Sequence, residues 1–450
     1  MATDVHEADT RIRALAHKLS PAQWVFAGFL SYVVLGMGVL SLPLAQTTHV
    51  GFVDNLFMVT SAMSTTGLCT VSTNDSYTLL GQITLLVLIQ LGGIGYMVVS
   101  SFVVLARREH FGPVRENILK AQFSLPTDFN IRTFVLHVCI FTVVVEAVGT
   151  LVLFFEFSEA GVEKALWQAM FHSISAFCTA GFSLFNDSMV RFADNTLVLL
   201  TIMILSYLGA IGFIVLADVW LCARQRGRRI TFTSRVIMVM TLAVFVVGSA
   251  QIFVFDPLIA ELPTGSRLLA AAFQLSQASS TAGFNSVDLG KMGEGALLVL
   301  TLAMIIGASP AGTGGGVKTT TISALSATVW STMRGSTRVE LLGHGIPVER
   351  LHTAFTNFTL YLVTLALGVY LVSFFDGHDL LRQSFECASA LSTVGLSMGI
   401  TFELNTEAKL VITALMFVGR VGPLTAGTAF LARRTIVPET GTRKTADLSL

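Results

Sequence analysis

Ser64-Thr65-Thr66-Gly67-Leu68 is the stretch on which the fold turns, because its pattern recurs three more times along the chain. The later copies read Cys178-Thr179-Ala180-Gly181-Phe182, Ser280-Thr281-Ala282-Gly283-Phe284 and Ser392-Thr393-Val394-Gly395-Leu396. Their glycines are 114, 102 and 112 residues apart (67 to 181, 181 to 283, 283 to 395). Each copy lies between two long apolar stretches. A single Ser-Thr-Ala-Gly is ordinary loop punctuation. Four in register with hydropathy predict an all-α polytopic membrane protein: four covalently linked helix–pore loop–helix repeats around one pseudo-fourfold pore.

Composition agrees. Of 450 residues, 53% are hydrophobic and only 12% charged, against roughly 25% charged in soluble domains; mean hydropathy is +0.72. Apolar segments near 24–44, 79–106, 132–155, 194–222, 235–255, 295–306, 353–375 and 407–432 mostly reach the ~20 residues that cross a bilayer. The first 20 residues are polar and charged, so no cleavable signal peptide is expected. The five cysteines show no metal-ligand or CxxC spacing and read as small buried side chains.

Eight spans with an inside N-terminus place twenty Lys and Arg on the cytoplasmic side and six on the other. That bias satisfies the positive-inside rule and puts both termini in the cytoplasm. The outer loops carry sixteen acids, from Asp54 to Glu407 and including Glu386, against those six bases. Such a face would be electronegative and would concentrate cations.

In every repeat a short apolar stretch leads into the Ser/Thr-rich loop: Phe52–Met63, Glu163–Phe177, Ser266–Ser279 and Asp379–Leu391. Each is too short to span and suits a re-entrant half helix. Irregular backbone at membrane depth survives only inside protein or against a wet cavity, so the loops should face a central axis. Glycine lets successive carbonyl oxygens turn toward that axis. Four such loops would replace a cation's hydration shell, which suits potassium. The half-helix C-termini would point their negative dipole ends at the ion. The expected selectivity filter is therefore Thr65, Thr66, Gly67 and Leu68; Thr179, Ala180, Gly181 and Phe182; Thr281, Ala282, Gly283 and Phe284; Thr393, Val394, Gly395 and Leu396. K+ would sit at Gly67, Gly181, Gly283 and Gly395.

The repeats cover about 24–106, 132–222, 235–330 and 353–434, joined by the basic linkers Arg107–Arg132, Arg224–Arg235 and Arg334–Arg350. Residues 1–23 and 435–450 form short cytoplasmic ends. The second helix of the third repeat is interrupted by Gly307 to Thr320, with four glycines in five residues and Pro310. No α-helix continues through that composition in lipid. A flexible gate is expected there, from Gly312, Thr313, Gly314, Gly315 and Gly316 to Lys318. The loop is not a nucleotide-binding P-loop, since Val317 precedes the lysine where glycine is required. Arg420 lies inside the last apolar segment. A charge at that depth should face the bundle interior or water, so it is read as a barrier to cations beneath the filter; snorkelling to the interface is the alternative. Lys318 is read as interfacial.

Glu146 and His137 form either a proton relay or a helix-packing pair, and His172 is a structural hydrogen bonder. The Gly92-Gly93-Ile94-Gly95 and Gly209-Ala210-Ile211-Gly212 runs are assigned close helix packing only. No cluster of nucleophile, base and metal ligands marks an enzyme. The bilayer is an expected partner; nucleic acid is not.

On the four glycine loops, on Gly312-Thr313-Gly314-Gly315-Gly316-Val317-Lys318-Thr319 and on Phe417-Val418-Gly419-Arg420, the chain resembles the superfamily of Trk, Ktr and HKT potassium transporters over about residues 24–434. It is most similar to the bacterial Ktr-type membrane subunit, because the first repeat begins close to the N-terminus. The resemblance implies potassium uptake across the bacterial inner membrane by a homodimer with one pore per subunit. It implies a cytosolic RCK-type regulatory ring that binds ATP or ADP, with no cofactor on this chain beyond K+ in the pore and Na+ as a second ion. It also implies a filter at the four glycines, an intramembrane gate at Gly312 to Lys318 and a barrier at Arg420. Sodium-permeable plant relatives can carry serine at the first filter glycine; Gly67 fits the potassium-selective pattern. Proton- or sodium-coupled symport, and a less selective Na/K transporter, are the alternatives.

Overall fold

The computed structural model describes residues 21–95, 131–224 and 229–431. Residues 96–106 of the second apolar segment, the linker Arg107–Arg132 (apart from its last two residues), the segment 225–228, and residues 1–20 and 432–450 lie outside the described residues. The first unit holds α1 (Pro21–Leu40), α2 (Phe52–Ser64) and α3 (Leu79–Ile94). The second holds α4 (Ile131–Glu159), α5 (Ala165–Phe177), α6 (Thr196–Ala210) and α7 (Phe213–Arg224). The third holds α8 (Phe232–Phe255), α9 (Thr264–Ser280), α10 (Glu294–Ile306) and α11 (Thr319–Met333). The fourth holds α12 (Val348–Phe375), α13 (Leu380–Leu391), α14 (Thr406–Val421) and α15 (Pro423–Leu431). A short hairpin, β1 (Glu340–Leu341) with β2 (His344–Gly345), occupies the linker between α11 and α12.

The first helix of every unit, α1, α4, α8 and α12, is long and apolar enough to cross a membrane. Their outer faces leave Val143, Leu151, Leu242 and Leu367 exposed, as a lipid-facing surface requires. Side-chain caps set several helix starts: Asn195, Asp379 and Asn405 accept the free N–H groups of Val198, Arg382 and Ala408 at 2.8–3.0 Å.

The second helices depart from expectation. The sequence predicts unbroken spans over 194–222 and 407–432, and a span over 79–106 of which residues 79–95 are described, with a break only in the third unit. Instead α6 and α7 meet at 96°, and α14 and α15 at 94°. The cause is one glycine per unit in the left-handed region: Gly95 (φ 89°), Gly212 (φ 94°), Gly307 (φ 67°) and Gly422 (φ 90°). Each ends a helix, and Pro423 makes the last stop sharper.

The short helices α2, α5, α9 and α13 are the best-buried elements, and each packs on the second helix of the unit before it. Thus α5 packs on α3, α9 on α6, α13 on α10, and α2 on α14. The last pairing closes the circle.

Candidate functional site

The four loops that follow the short helices meet in a ring, and glycine is what lets them meet. A Cβ built on Gly67 would strike the carbonyl oxygen of Ala180; one on Gly181, that of Ala282; one on Gly283, that of Val394; one on Gly395, that of Thr66. The same hypothetical atoms come within 3.0–3.3 Å of the next glycine's Cα. The order 67, 181, 283, 395 and back to 67 is cyclic, so all four segments share one axis. Phe182, Phe284, Leu68 and Leu396 are buried behind them.

The backbone of the residue two before each glycine is the feature that sequence reasoning missed. Thr65, Thr179, Thr281 and Thr393 all have positive φ, from 51° to 60°. For a β-branched residue this conformation is a true outlier, costing on the order of 1–2 kcal/mol each. Strain repeated at one position in four units points to a functional demand on the backbone. Hydrogen bonds from the helix end hold it. The N–H groups of Thr66, Ala180, Ala282 and Val394 donate to Ser61, Ser175, Gln277 and Ser389 carbonyls at 2.8–3.0 Å. Ser61 and Ser389 hydroxyls accept from the N–H of Gly67 (3.1 Å) and Gly395 (3.0 Å). With these N–H groups bonded away from the ring, the carbonyls remain for the axis.

The small residues of the second helices serve the same ring. A Cβ on Gly92, Gly209 or Gly419 would strike the carbonyl of Met63, Phe177 or Leu391, at the ends of the short helices. Their role is close approach to the loops, which general helix packing did not specify.

The glycine-rich loop lies directly beneath the ring, on the side where the short helices end. Thr313 donates its hydroxyl to the Phe177 carbonyl (3.2 Å) and sits 3.1 Å from the Thr179 hydroxyl. The N–H of Gly315 donates to the Thr281 hydroxyl (3.0 Å). Gly312 rests on the Ala210 and Gly209 carbonyls, and Gly314 and Gly315 on Ser280 and Ser392. Two cations hold the loop's carbonyls. Arg420 donates to Thr313, Gly92 and Gly93 carbonyls, so it faces inward and does not snorkel. Lys318, expected at the interface, instead directs Nζ to the carbonyls of Gly314 (2.6 Å) and Gly315 (3.3 Å). Beyond them lies a cavity of about 630 Å³ lined in part by Gly93, Gly316, Lys318, Tyr361 and Arg420.

Two other expectations change. His137 is exposed on α4, whereas Glu146 is buried and accepts from the Gln90 amide at 3.0 and 3.2 Å. Glu146 therefore joins α4 to α3 and makes no pair with His137. Several of the outer acids are engaged within the protein. Asp54, Asp187, Asp288 and Asp379 are paired with Lys409, Arg191, Lys291 and Arg382. Asp256 is buried, accepting from the N–H of Ile259 and of Gly293 at 2.9 Å, and Glu386 is fully buried in α13. The acids that stay exposed include Asp75, Glu159, Glu163, Glu261, Glu294, Glu403 and Glu407.

Two further acids are joined through His378, whose ring bonds Glu403 (3.0 Å) and Asp376 (2.5 Å). Those two hydrogen bonds, Glu403's the larger, raise its pKa above the ordinary value. The stabilisation from this bridge is complete below about pH 6.5 and is lost as pH rises through the raised folded-state value. The difference in melting temperature between the native protein and His378→Leu should accordingly be largest near pH 6 and shrink in alkaline buffer.

Comparison with known proteins fits this geometry. The family profile TrkH, described as cation transport protein, matches residues 30–438. The chain belongs to the TrkH cation transport protein family. Its members are transporters, not enzymes. The chain is similar to the Ktr system potassium uptake protein B of Vibrio alginolyticus, with 32% identity over 89% of both chains. It is also similar to the potassium/sodium uptake protein NtpJ of Enterococcus hirae, with 32% identity over 92% of this chain and 94% of that one. Ktr system potassium uptake protein B of Bacillus subtilis is 31% identical over 91% and 92%. The crystal structure of the potassium transporter TrkH from Vibrio parahaemolyticus superposes with a TM-score of 0.66 at 20% identity, covering 88% of this chain and 82% of that one. That likeness places the chain in the same fold.

Proposed function

We propose that the chain takes up potassium across the plasma membrane through the axis of its glycine ring. The observation that carries this reading is the cyclic contact of Gly67, Gly181, Gly283 and Gly395 with the carbonyls of Ala180, Ala282, Val394 and Thr66. A ring of backbone oxygens is a site for a dehydrated monovalent cation. Two of the similar proteins are named potassium uptake proteins, which supports the choice of ion. The filter is Thr65–Leu68, Thr179–Phe182, Thr281–Phe284 and Thr393–Leu396; the gate is Gly312–Gly316 with Lys318 and Arg420. Membrane potential supplies about 2.3 kcal/mol per charge per 100 mV for inward movement. The working assembly is a homodimer with cytoplasmic termini, docked on a cytosolic RCK-type ring that carries the ATP or ADP. Sodium acts as a second ion, a reading favoured by the similar protein named for potassium and sodium uptake.

The test is rubidium uptake in cells lacking their own potassium uptake systems, with and without a candidate cytosolic partner. Expression of the chain should restore uptake, and the partner should raise it. A folded, membrane-inserted protein that moves no rubidium with any partner or voltage would overturn the proposal.

A further inference from the structure

Nine residues before the four ring glycines lie Met58, His172, Gln274 and Glu386, one on each short helix. All four side chains are fully buried, yet three are polar. Each of those three reaches the chain where it leaves the ring. His172 donates from Nδ1 to its own helix, at the Gln168 carbonyl (2.7 Å), which leaves Nε2 to accept from the Ser183 hydroxyl at 2.9 Å. Ser183 in turn accepts from the Phe185 N–H at 2.9 Å. Gln274, with its amide oxygen turned toward Ser286, accepts from the Ser286 N–H (2.7 Å) and the Val287 N–H (3.3 Å). Glu386 accepts from the Thr401 hydroxyl, which lies 3.0 Å from the Ser397 hydroxyl.

In the first unit Met58 makes no such contact; there Asn55, one turn earlier on α2, accepts from the Tyr77 hydroxyl at 2.9 Å. Met58 and Cys69, which takes the place of Ser183 and Ser397 two residues after the glycine, belong to one apolar cluster. The Cys69 thiol turns back to the Gly67 carbonyl at 3.4 Å.

We propose that His172, Gln274 and Glu386 are positioning residues that fix the outgoing limbs of three ring segments and so set the preference for potassium over sodium. This role rests on the transport reading given above. None of the three touches the ion. A buried side-chain bond from a rigid helix holds the limb, and with it the carbonyls, at a fixed distance from the axis. A limb without that bond can close on the smaller sodium ion. Glu386 is the most informative of the three, since a fully buried carboxyl next to a hydroxyl has no other evident task in α13.

The test is the ratio of potassium to sodium flux in proteoliposomes containing the purified full chain. Glu386→Leu should lower the ratio about tenfold, the effect of losing one buried hydrogen bond. Glu386→Gln keeps an acceptor for Thr401 and should restore most of it. Gln274→Leu and Thr401→Val, which break a brace from another unit or from the other side, should lower it similarly. A change in total flux with an unchanged ratio in Glu386→Leu, Gln274→Leu and Thr401→Val would overturn the inference. Should Glu386→Leu fail to fold, the other two decide it. A wild-type protein that moves no potassium would sink the transport reading instead. A selective wild type with equally selective variants would sink only the braces.

Discussion

Replacing Gly67 with serine should lower the preference for potassium over sodium by about tenfold or more. Gly67 has φ 92°, and a Cβ there meets the Ala180 carbonyl oxygen and comes within 3.1 Å of the Gly181 Cα. Both obstacles are backbone, so no side chain can swing aside. Relief comes only if the first and second loops separate, which moves the Ala180 oxygen away from its place in the ring. The left-handed backbone adds on the order of 1–2 kcal/mol of strain for any residue with a Cβ. A ring opened on one side binds a dehydrated potassium ion less well and admits a more hydrated sodium ion. Competition between the two ions in flux assays measures the outcome. Because the contact is cyclic, Gly283→Ser, which meets the Val394 carbonyl, should act alike. An unchanged ratio in both folded variants would remove the glycine ring from the ion path.

The repeat was legible because it couples two independent signals, hydropathy and a short polar motif, at four positions. That coupling gave the short helices to within a few residues: Phe52–Met63 was expected and Phe52–Ser64 is found; Asp379–Leu391 was expected and Leu380–Leu391 is found. The bends at Gly212 and Gly422 were not legible. A glycine inside an apolar run is compatible with a packed helix and with a left-handed stop, and hydropathy is the same for both. The left-handed threonines were hidden for the opposite reason, since nothing in a β-branched residue announces a positive φ. Charges misled where their partners were distant in sequence: Lys409 finds Asp54 across 355 positions, and Glu386, counted with the outer acids, is buried within α13. The site as a set was readable from repetition. Its supports, Ser61, Ser389, Gly92 and Gly419, needed the third dimension.

Replacing Arg420 with alanine should raise cation flux about tenfold or more while leaving the potassium-to-sodium ratio unchanged. Its guanidinium reaches the third unit's loop at Thr313 and the end of α3 at Gly92 and Gly93, so one side chain from α14 ties three units together beneath the ring. Hydrogen bonds to a charged group are worth roughly 1.5–3 kcal/mol each. Losing them from the obstructing position alone shifts the loop's equilibrium by a factor of ten per 1.4 kcal/mol. The ring glycines are untouched, so selectivity should survive. Deleting Ala311–Gly316 should also raise flux, but it removes the Ala311 carbonyl that accepts from the Phe213 N–H, and stability should fall with it. Arg420→Gln separates the two ways in which arginine could act. If the charge itself repels the ion, glutamine should conduct as fast as alanine; if the fork holds the loop, glutamine should fall between arginine and alanine. Lys318 supplies a second positive charge at the Gly314 and Gly315 carbonyls, so the closed loop keeps one anchor, and the double replacement should conduct fastest of all. An Arg420→Ala protein that is folded, inserted and no faster than the native one would exclude this loop as the gate.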